Sequence, residues 1–208
     1  MDDRETVRDR TEPKPTGWTR VKTLLHEETF GIHPRLIALN AIDSFLPRNS
    51  ARARARLFAL AGFQIGAGTL LAGPPKINGG SALFSNLVIG EECAIAVDCV
   101  FDLEERITIG DRVTLGPGVM ILTSTHELDI REHRAGPVQR SPVSIGSGAW
   151  LGARCTILPG VTVGAGSIVN PGALVNKDVA PNTRVNGIPA IQIEVLQGAD
   201  PPTAAGSS

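Results

Sequence analysis

Ile145-Gly-Ser-Gly-Ala-Trp, Leu151-Gly-Ala-Arg-Cys-Thr, Ile157-Leu-Pro-Gly-Val-Thr, Val163-Gly-Ala-Gly-Ser-Ile, Val169-Asn-Pro-Gly-Ala-Leu and Val175-Asn-Lys-Asp-Val-Ala follow one another without a gap. Each block of six opens on an aliphatic residue, and a small or β-branched residue recurs four places later. A fixed six-residue period is the mark of a parallel β-helix. In such a coil the opener points inward and stacks on the openers above and below. A small fifth residue suits the narrow tube, and glycine in the second place is read as the residue that lets the chain turn tightly.

Working outward, the period fades after Ala180. Upstream it begins at Ile65 and continues through Leu71, Ile77, Leu83, Ile89, Ile95 and Phe101. Two extra residues fall near Glu104–Arg106, and openers resume at Ile109, Leu115 and Ile121. From Glu127 to about Ser144 the pattern gives way to a polar loop rich in Arg and His. Three sixes make one triangular coil, so these sixteen openers predict about five coils. The fold class is all-β, a parallel β-helix with an N-terminal helical cap.

The ends read differently. Residues 1–16 are polar and charged and are expected to be a disordered arm. Residues 17–62 show helical periods. Ile32, Leu36, Ile37, Leu39 and Ile42 are spaced for one face of a helix that Pro34 starts and Pro47 follows. A second helix over Ser50–Ala61 turns Leu57, Phe58, Leu60 and Ala61 inward, with Arg52, Arg54 and Arg56 on a solvated face. The β-helix domain occupies 63–197 with its loop at 127–144, and 198–208 reads as a disordered tail.

Composition narrows the function. The chain has 208 residues, 42% of them hydrophobic and only 4% aromatic, with no Tyr. That describes a core of Val, Ile, Leu and small residues. A net charge of −1 offers no footprint for nucleic acid or acidic lipid. No apolar run is long enough to span a bilayer. Met1-Asp-Asp-Arg-Glu lacks the basic-then-apolar layout of a signal peptide, so a cytoplasmic location is expected. Cys93, Cys99 and Cys155 each stand four places after an opener, the position of a small buried side chain rather than of a disulfide or metal ligand.

Of the four histidines, His26, His33, His126 and His133, only His126 sits within a repeat. It closes the block Ile121-Leu-Thr-Ser-Thr-His, where the coil is left for the longest insertion. An imidazole on a rigid strand at the mouth of a polar loop is placed for proton transfer near neutral pH.

Several motifs carry a family resemblance. These are Thr123-Ser-Thr-His-Glu-Leu-Asp, Pro142-Val-Ser-Ile-Gly-Ser-Gly-Ala-Trp-Leu-Gly, Ile157-Leu-Pro-Gly-Val-Thr-Val-Gly, Lys177-Asp-Val-Ala-Pro-Asn and Asn186-Gly-Ile-Pro-Ala. With the sixes, over roughly residues 65–195, they resemble the hexapeptide-repeat O-acetyltransferases. The branch they are most similar to includes maltose, galactoside, nodulation-factor and exopolysaccharide acetyltransferases. The resemblance implies a left-handed parallel β-helix, acetyl-CoA as co-substrate with no metal required, and a homotrimer with active sites between subunits. The acceptor it implies is a sugar or other small hydroxylated molecule.

Carried over by position, the resemblance makes His126 the catalytic base. Trp150 falls beside the thioester arm. Gly152, Ala153, Pro171, Asn176 and Lys177 fall along the coenzyme A groove, with a backbone N–H near Gly152 meeting the oxyanion. Relatives often carry Arg or Lys just after the Gly-x-Pro and again three places on. Here Ile191 and Glu194 stand there, so Arg184 or Arg154 is left to meet the coenzyme's 3′-phosphate. Asp98 and Asp102, on the rung before His126, are expected at the acceptor, binding its hydroxyls or orienting the imidazole. Three alternatives remain open: a catalytically silent β-helix scaffold, an N-acetyltransferase, and a zinc enzyme of the γ-carbonic-anhydrase kind.

Overall fold

The computed structural model describes residues 34–47, 49–80, 82–131 and 134–197. The arm expected over 1–16, residues 17–33 of the helical region, the tail from 198, and His26, His33 and His133 lie outside them.

Two helices precede the first strand: α1 (Pro34–Asp43) and α2 (Ala51–Leu60). Proline at the first position of α1 supplies a helical φ where its missing N–H costs nothing. Helix α1 buries Leu36 and Leu39 but leaves Ile37 and Ile42 half exposed, and α2 buries Phe58 while Leu60 faces out. The expected inward faces hold in part, since Leu57 and Ala61 also pack against the core. Arg54, expected on a solvated surface, is found 3% exposed. Its Nε donates to Asp43 Oδ1 at 2.6 Å, and its Nη1 donates to the carbonyl oxygens of Leu71 and Ala72 at 3.1 and 3.2 Å. A buried guanidinium needs such partners, and these tie both helices to the first coil.

The solenoid follows. Its first coil is β1 (Gln64–Ile65), β2 (Leu70–Leu71) and β3 (Lys76–Asn78). A one-turn helix, α3 (Leu83–Asn86), leads into β4 (Leu87–Ile89), β5 (Ala94–Ile95) and β6 (Val100–Asp102). The third coil is β7 (Ile107–Ile109), β8 (Thr114–Leu115) and β9 (Met120–Ile121). A hairpin, β10 (Ser124–Leu128) and β11 (Ala135–Arg140), then leaves the coil. The chain returns through β12 (Val143–Ile145), β13 (Trp150–Leu151) and β14 (Thr156–Ile157), then β15 (Thr162–Val163), β16 (Ile168–Val169) and β17 (Leu174–Val175). Val179 bridges to Val163, and β18 (Thr183–Asn186) with its antiparallel partner β19 (Ile191–Val195) ends the structure.

Every third strand stacks in parallel. The first face is β1-β4-β7-β12-β15, the second β2-β5-β8-β13-β16-β18-β19, and the third β3-β6-β9-β14-β17. That makes five complete coils and two sides of a sixth. Openers such as Leu71, Ile95, Leu115 and Leu151 are buried one above another. No helix among the described residues is long and apolar enough to cross a membrane.

Two readings of the period are corrected. Leu83 is not an opener. It is buried in α3, an apolar residue at the right spacing that covers the coil end instead of extending a strand. Removing it leaves fifteen openers for five triangular coils. Second-place glycines, in turn, are not where the chain turns left-handed. Positive φ falls in the fourth place: Gly148, Gly166 and Gly172, but also Asp98 and Arg154. Second-place glycine answers a different need, close stacking. A Cβ on Gly152 would lie 2.5 Å from Pro171 N in the coil above.

All three interruptions of the sixes occur at the corner between the third and first faces: α3 after β3, two extra residues after β6, and the hairpin after β9. They are stitched together. Asn86 Nδ2 donates to Leu103 O at 3.0 Å, Glu105 N donates to Thr123 Oγ1 at 2.9 Å, and Arg140 Nε meets Glu104 Oε2 at 3.0 Å.

Candidate active site

His126 lies on β10, exposed, opposite Val138 of β11. The ladder shifts register between His126 and Leu128, which turns the imidazole across the hairpin. Its Nδ1 is 2.7 Å from Gly136 O. A carbonyl oxygen only accepts, so Nδ1 carries the hydrogen of the neutral ring and Nε2 keeps its lone pair. Glycine at 136 fits the tight hairpin, because a Cβ there would meet Asp129 Cβ at 2.9 Å. The arrangement is that of an oriented proton acceptor.

Asp102 lies one coil below, 4% exposed. Its Oδ1 accepts from Asn78 Nδ2 at 3.0 Å. Its Oδ2 accepts from the N–H groups of Thr123 and Ser124 at 3.1 and 2.9 Å and from Ser124 Oγ at 2.6 Å. The carboxylate is thus turned onto the start of the His126 strand. Asp98 is elsewhere. It is exposed at the corner between the second and third faces, with φ 59° and an ion pair to Lys76 at 3.6 Å. Both aspartates lie on the second coil, the rung expected for them, but at its two different corners.

Trp150 is 50% exposed on the second face, paired with Thr114 below and Ile168 above. Gly152, Ala153 and Pro171 follow around the adjoining corner. The N–H of Gly152 donates to Val169 O at 2.7 Å within the ladder, so it is spent. The next N–H, that of Ala153, makes no hydrogen bond among the described residues, and it is the free donor beside Trp150.

Arg184 is on the same face beyond Ile168, but its Nε lies 3.3 Å from Glu194 Oε2 on the facing strand. The substitution of Glu at 194 therefore also engages the arginine thought to compensate for it. Arg154 is exposed at the Ala153 corner. Asn176 and Lys177 follow β17 and line a hollow of about 370 Å³ with Thr183, Pro189 and Ile191 at the C-terminal end.

Behind these groups, Cys93, Cys99 and Cys155 are buried free thiols. Burial raises all three, Cys99 to about 11 and Cys155 to about 12. None is a thiolate near neutral pH. No group of three or more His, Cys, Asp or Glu side chains placed to hold a metal ion occurs among the described residues.

Residues 142–177 match the bacterial transferase hexapeptide (six repeats) family. Over those residues the chain carries the hexapeptide repeat of that family. It is 38% identical over 112 residues to a putative acetyltransferase of Schizosaccharomyces pombe, covering 54% of each chain. It is 30% identical over 116 residues to the galactoside O-acetyltransferase of Escherichia coli, covering 56% of this chain and 57% of that one. The chain thus spans about half the length of the curated relatives it matches. Among solved structures it is similar to the hexapeptide-repeat acetyltransferase of Vibrio cholerae O1 biovar eltor complexed with acetyl coenzyme A. There the TM-score is 0.64 at 28% identity, over 81% of this chain and 92% of that chain. The hexapeptide solenoid is accordingly the left-handed parallel β-helix of these acetyltransferases.

Proposed function

We propose that this hexapeptide-repeat chain is an acetyl-CoA-dependent O-acetyltransferase that acetylates a hydroxyl of a sugar or other small hydroxylated acceptor. The observation that carries the reading is the 2.7 Å contact from His126 Nδ1 to Gly136 O, which leaves Nε2 as a base without a hydrogen-bond partner among the described residues, on an exposed strand. An alcohol is a poor nucleophile near neutral pH, so a base within hydrogen-bond reach is required.

In this mechanism Nε2 takes the acceptor's hydroxyl proton as that oxygen bonds to the thioester carbonyl carbon. The N–H of Ala153 meets the resulting oxyanion. The C–S bond then breaks, and the departing sulfur takes the proton back from the imidazolium. An acetyl ester and free coenzyme A are the products. The raised thiols and their burial favour direct transfer over a cysteine acyl-enzyme. Trp150, Gly152, Ala153 and Pro171 form the wall for the pantetheine arm, and Asn176, Lys177 and Arg184 lie further along the coenzyme's path. Asp98, exposed at its turn and paired among the described residues only with the exposed Lys76, is the candidate acceptor contact.

The proposed assembly is a homotrimer. His126 leaves the solenoid at the corner between the third and first faces, whereas Trp150 stands on the second face, across the triangle. A hairpin of one copy facing the Trp150 wall of the next completes the site.

The test is release of free coenzyme A from acetyl-CoA in the presence of galactosides and maltose, comparing the native protein with His126→Ala. Loss of acceptor-dependent release in the variant is expected. Equal rates in both proteins would remove His126 as the base, and no release with any acceptor would favour the scaffold reading.

A further inference from the structure

We infer that Asp102 is a positioning residue that aims His126 by holding the root of its hairpin. The inference rests on the reading of His126 as the base, but its geometry is independent of the acceptor. The carboxylate is buried, and both oxygens are used. Three of its four hydrogen bonds go to Thr123 and Ser124, the residues at which the chain leaves β9 for β10. The fourth, from Asn78 two coils below His126, anchors the carboxylate to the first coil. Thr123 Oγ1 adds a bond to the Asp102 carbonyl at 2.6 Å and accepts from Glu105 N.

His126 follows Ser124 by two residues, and no other described side chain accepts hydrogen bonds from the backbone of this root. Charge-assisted bonds of this kind are short and strong. The carboxylate is 4% exposed and one of its oxygens accepts three hydrogen bonds, which separates it from the exposed Asp98. The far side of the imidazole is set by Gly136 across the hairpin, so Asp102 fixes where the strand starts and Gly136 fixes how the ring lies on it.

Asp102→Ala, Asp102→Asn and Ser124→Ala test this. In nitrogen-15 spectra of the imidazoles, with His126→Ala identifying the signal, the native ring should show one Nδ1–H tautomer. Asp102→Ala should keep the solenoid's circular dichroism while the signal moves to the averaged pattern of a free imidazole. Asp102→Asn should largely retain the native signal. Its carbonyl still accepts from Thr123 and Ser124, and its amide donates to Asn78 once that side chain turns over. If Asp102→Ala does not fold, Ser124→Ala, which deletes one donor, should shift the signal part-way. A native signal in every folded variant overturns the inference.

With acetyl-CoA and methyl β-galactoside, Asp102→Ala should lower kcat about 100-fold, the cost of a misplacement near 1 Å, and leave KM for acetyl-CoA within about twofold, because Trp150 lies on another face. A raised galactoside KM at unchanged kcat would make Asp102 an acceptor contact and overturn its positioning role. Full activity in His126→Ala would sink the base itself, while the spectra would still decide the link from Asp102 to the hairpin.

Discussion

The coils of β12–β17 and the corner beneath them are built to opposite specifications. In β12–β17 no six is broken, and a second-place glycine such as Gly152 presses onto the next coil, leaving no room for a methyl group. At the corner between the third and first faces, coils one to three each carry an insertion, and a Cβ on Gly80 there would meet none of the described residues. The regular half is a wall held by repetition. The interrupted corner is held by side chains, with Asp102, Asn78, Asn86 and Arg140 replacing the missing ladder bonds. A solenoid gains chemistry where it stops repeating, because only an inserted strand can carry a side chain beyond the packed faces.

The largest effect should come from the corner and leave stability alone. His126→Ala is expected to lower kcat by about 1,000-fold, within the range of a general base and equal to about 4 kcal/mol of barrier. The melting temperature should stay within about 1 °C, since the ring is exposed and truncating an exposed side chain is close to neutral. A melting temperature that falls with activity would make His126 a hairpin clasp.

The wall should behave in reverse. Gly152→Ala places a Cβ against Pro171 N at 2.5 Å and Pro171 Cδ at 2.6 Å, and backbone in both coils must move. A loss of about 3 kcal/mol is expected by denaturant titration, the upper range for overpacking. Gly80→Ala should change stability by less than about 0.5 kcal/mol. Equal losses at the two positions would erase the contrast between wall and corner.

Smaller again is Trp150→Ala. The half-exposed indole makes wall rather than core, so KM for acetyl-CoA should rise about tenfold, some 1.4 kcal/mol, with kcat nearly kept. A fall in kcat alone would place the indole at the reacting carbonyl.

What was legible in the sequence follows the same division. The wall could be read because each place in a six answers one local constraint, so Ile145–Val175 needed no partner outside its own period. The corner could not be read this way. Leu83 has an opener's spacing, but an apolar residue covering a coil end satisfies the same pattern. Arg54 looked solvated because its partner, Asp43, lies 11 residues back on another helix. Asp102 meets Thr123 and Ser124 across 21 and 22 residues, a coil lengthened by the two extra residues after β6. His126 was visible as the place where the period fails. Its free Nε2 was not, because Gly136 belongs to the loop where no period remained. The residues placed along the coenzyme path came from the resemblance, and the local geometry rearranges two of them. Gly152 spends its N–H in the ladder, and Arg184 is engaged by Glu194.

The smallest effect compares the halves through one shared place. Cys99 in the second coil and Cys155 in the fourth both stand fifth in their sixes, both are fully buried, and burial raises both thiols, to about 11 and about 12 against 9.0 for the free group. A folded value above the unfolded one means that the native state holds its protons more tightly. That contribution to stability is complete below pH 9.0 and is lost as pH rises through about 11 to 12. Stability measured by denaturant should therefore be flat with respect to these thiols up to pH 9 and decline above it. At pH 8 a disulfide reagent should label neither thiol in the native protein and both after unfolding. Labelling at intermediate denaturant separates the halves. If the insertions loosen the coils they interrupt, Cys99 reacts before Cys155. Simultaneous labelling would mean that the solenoid opens as one unit and that the interruptions, however open to solvent, do not weaken the core behind them.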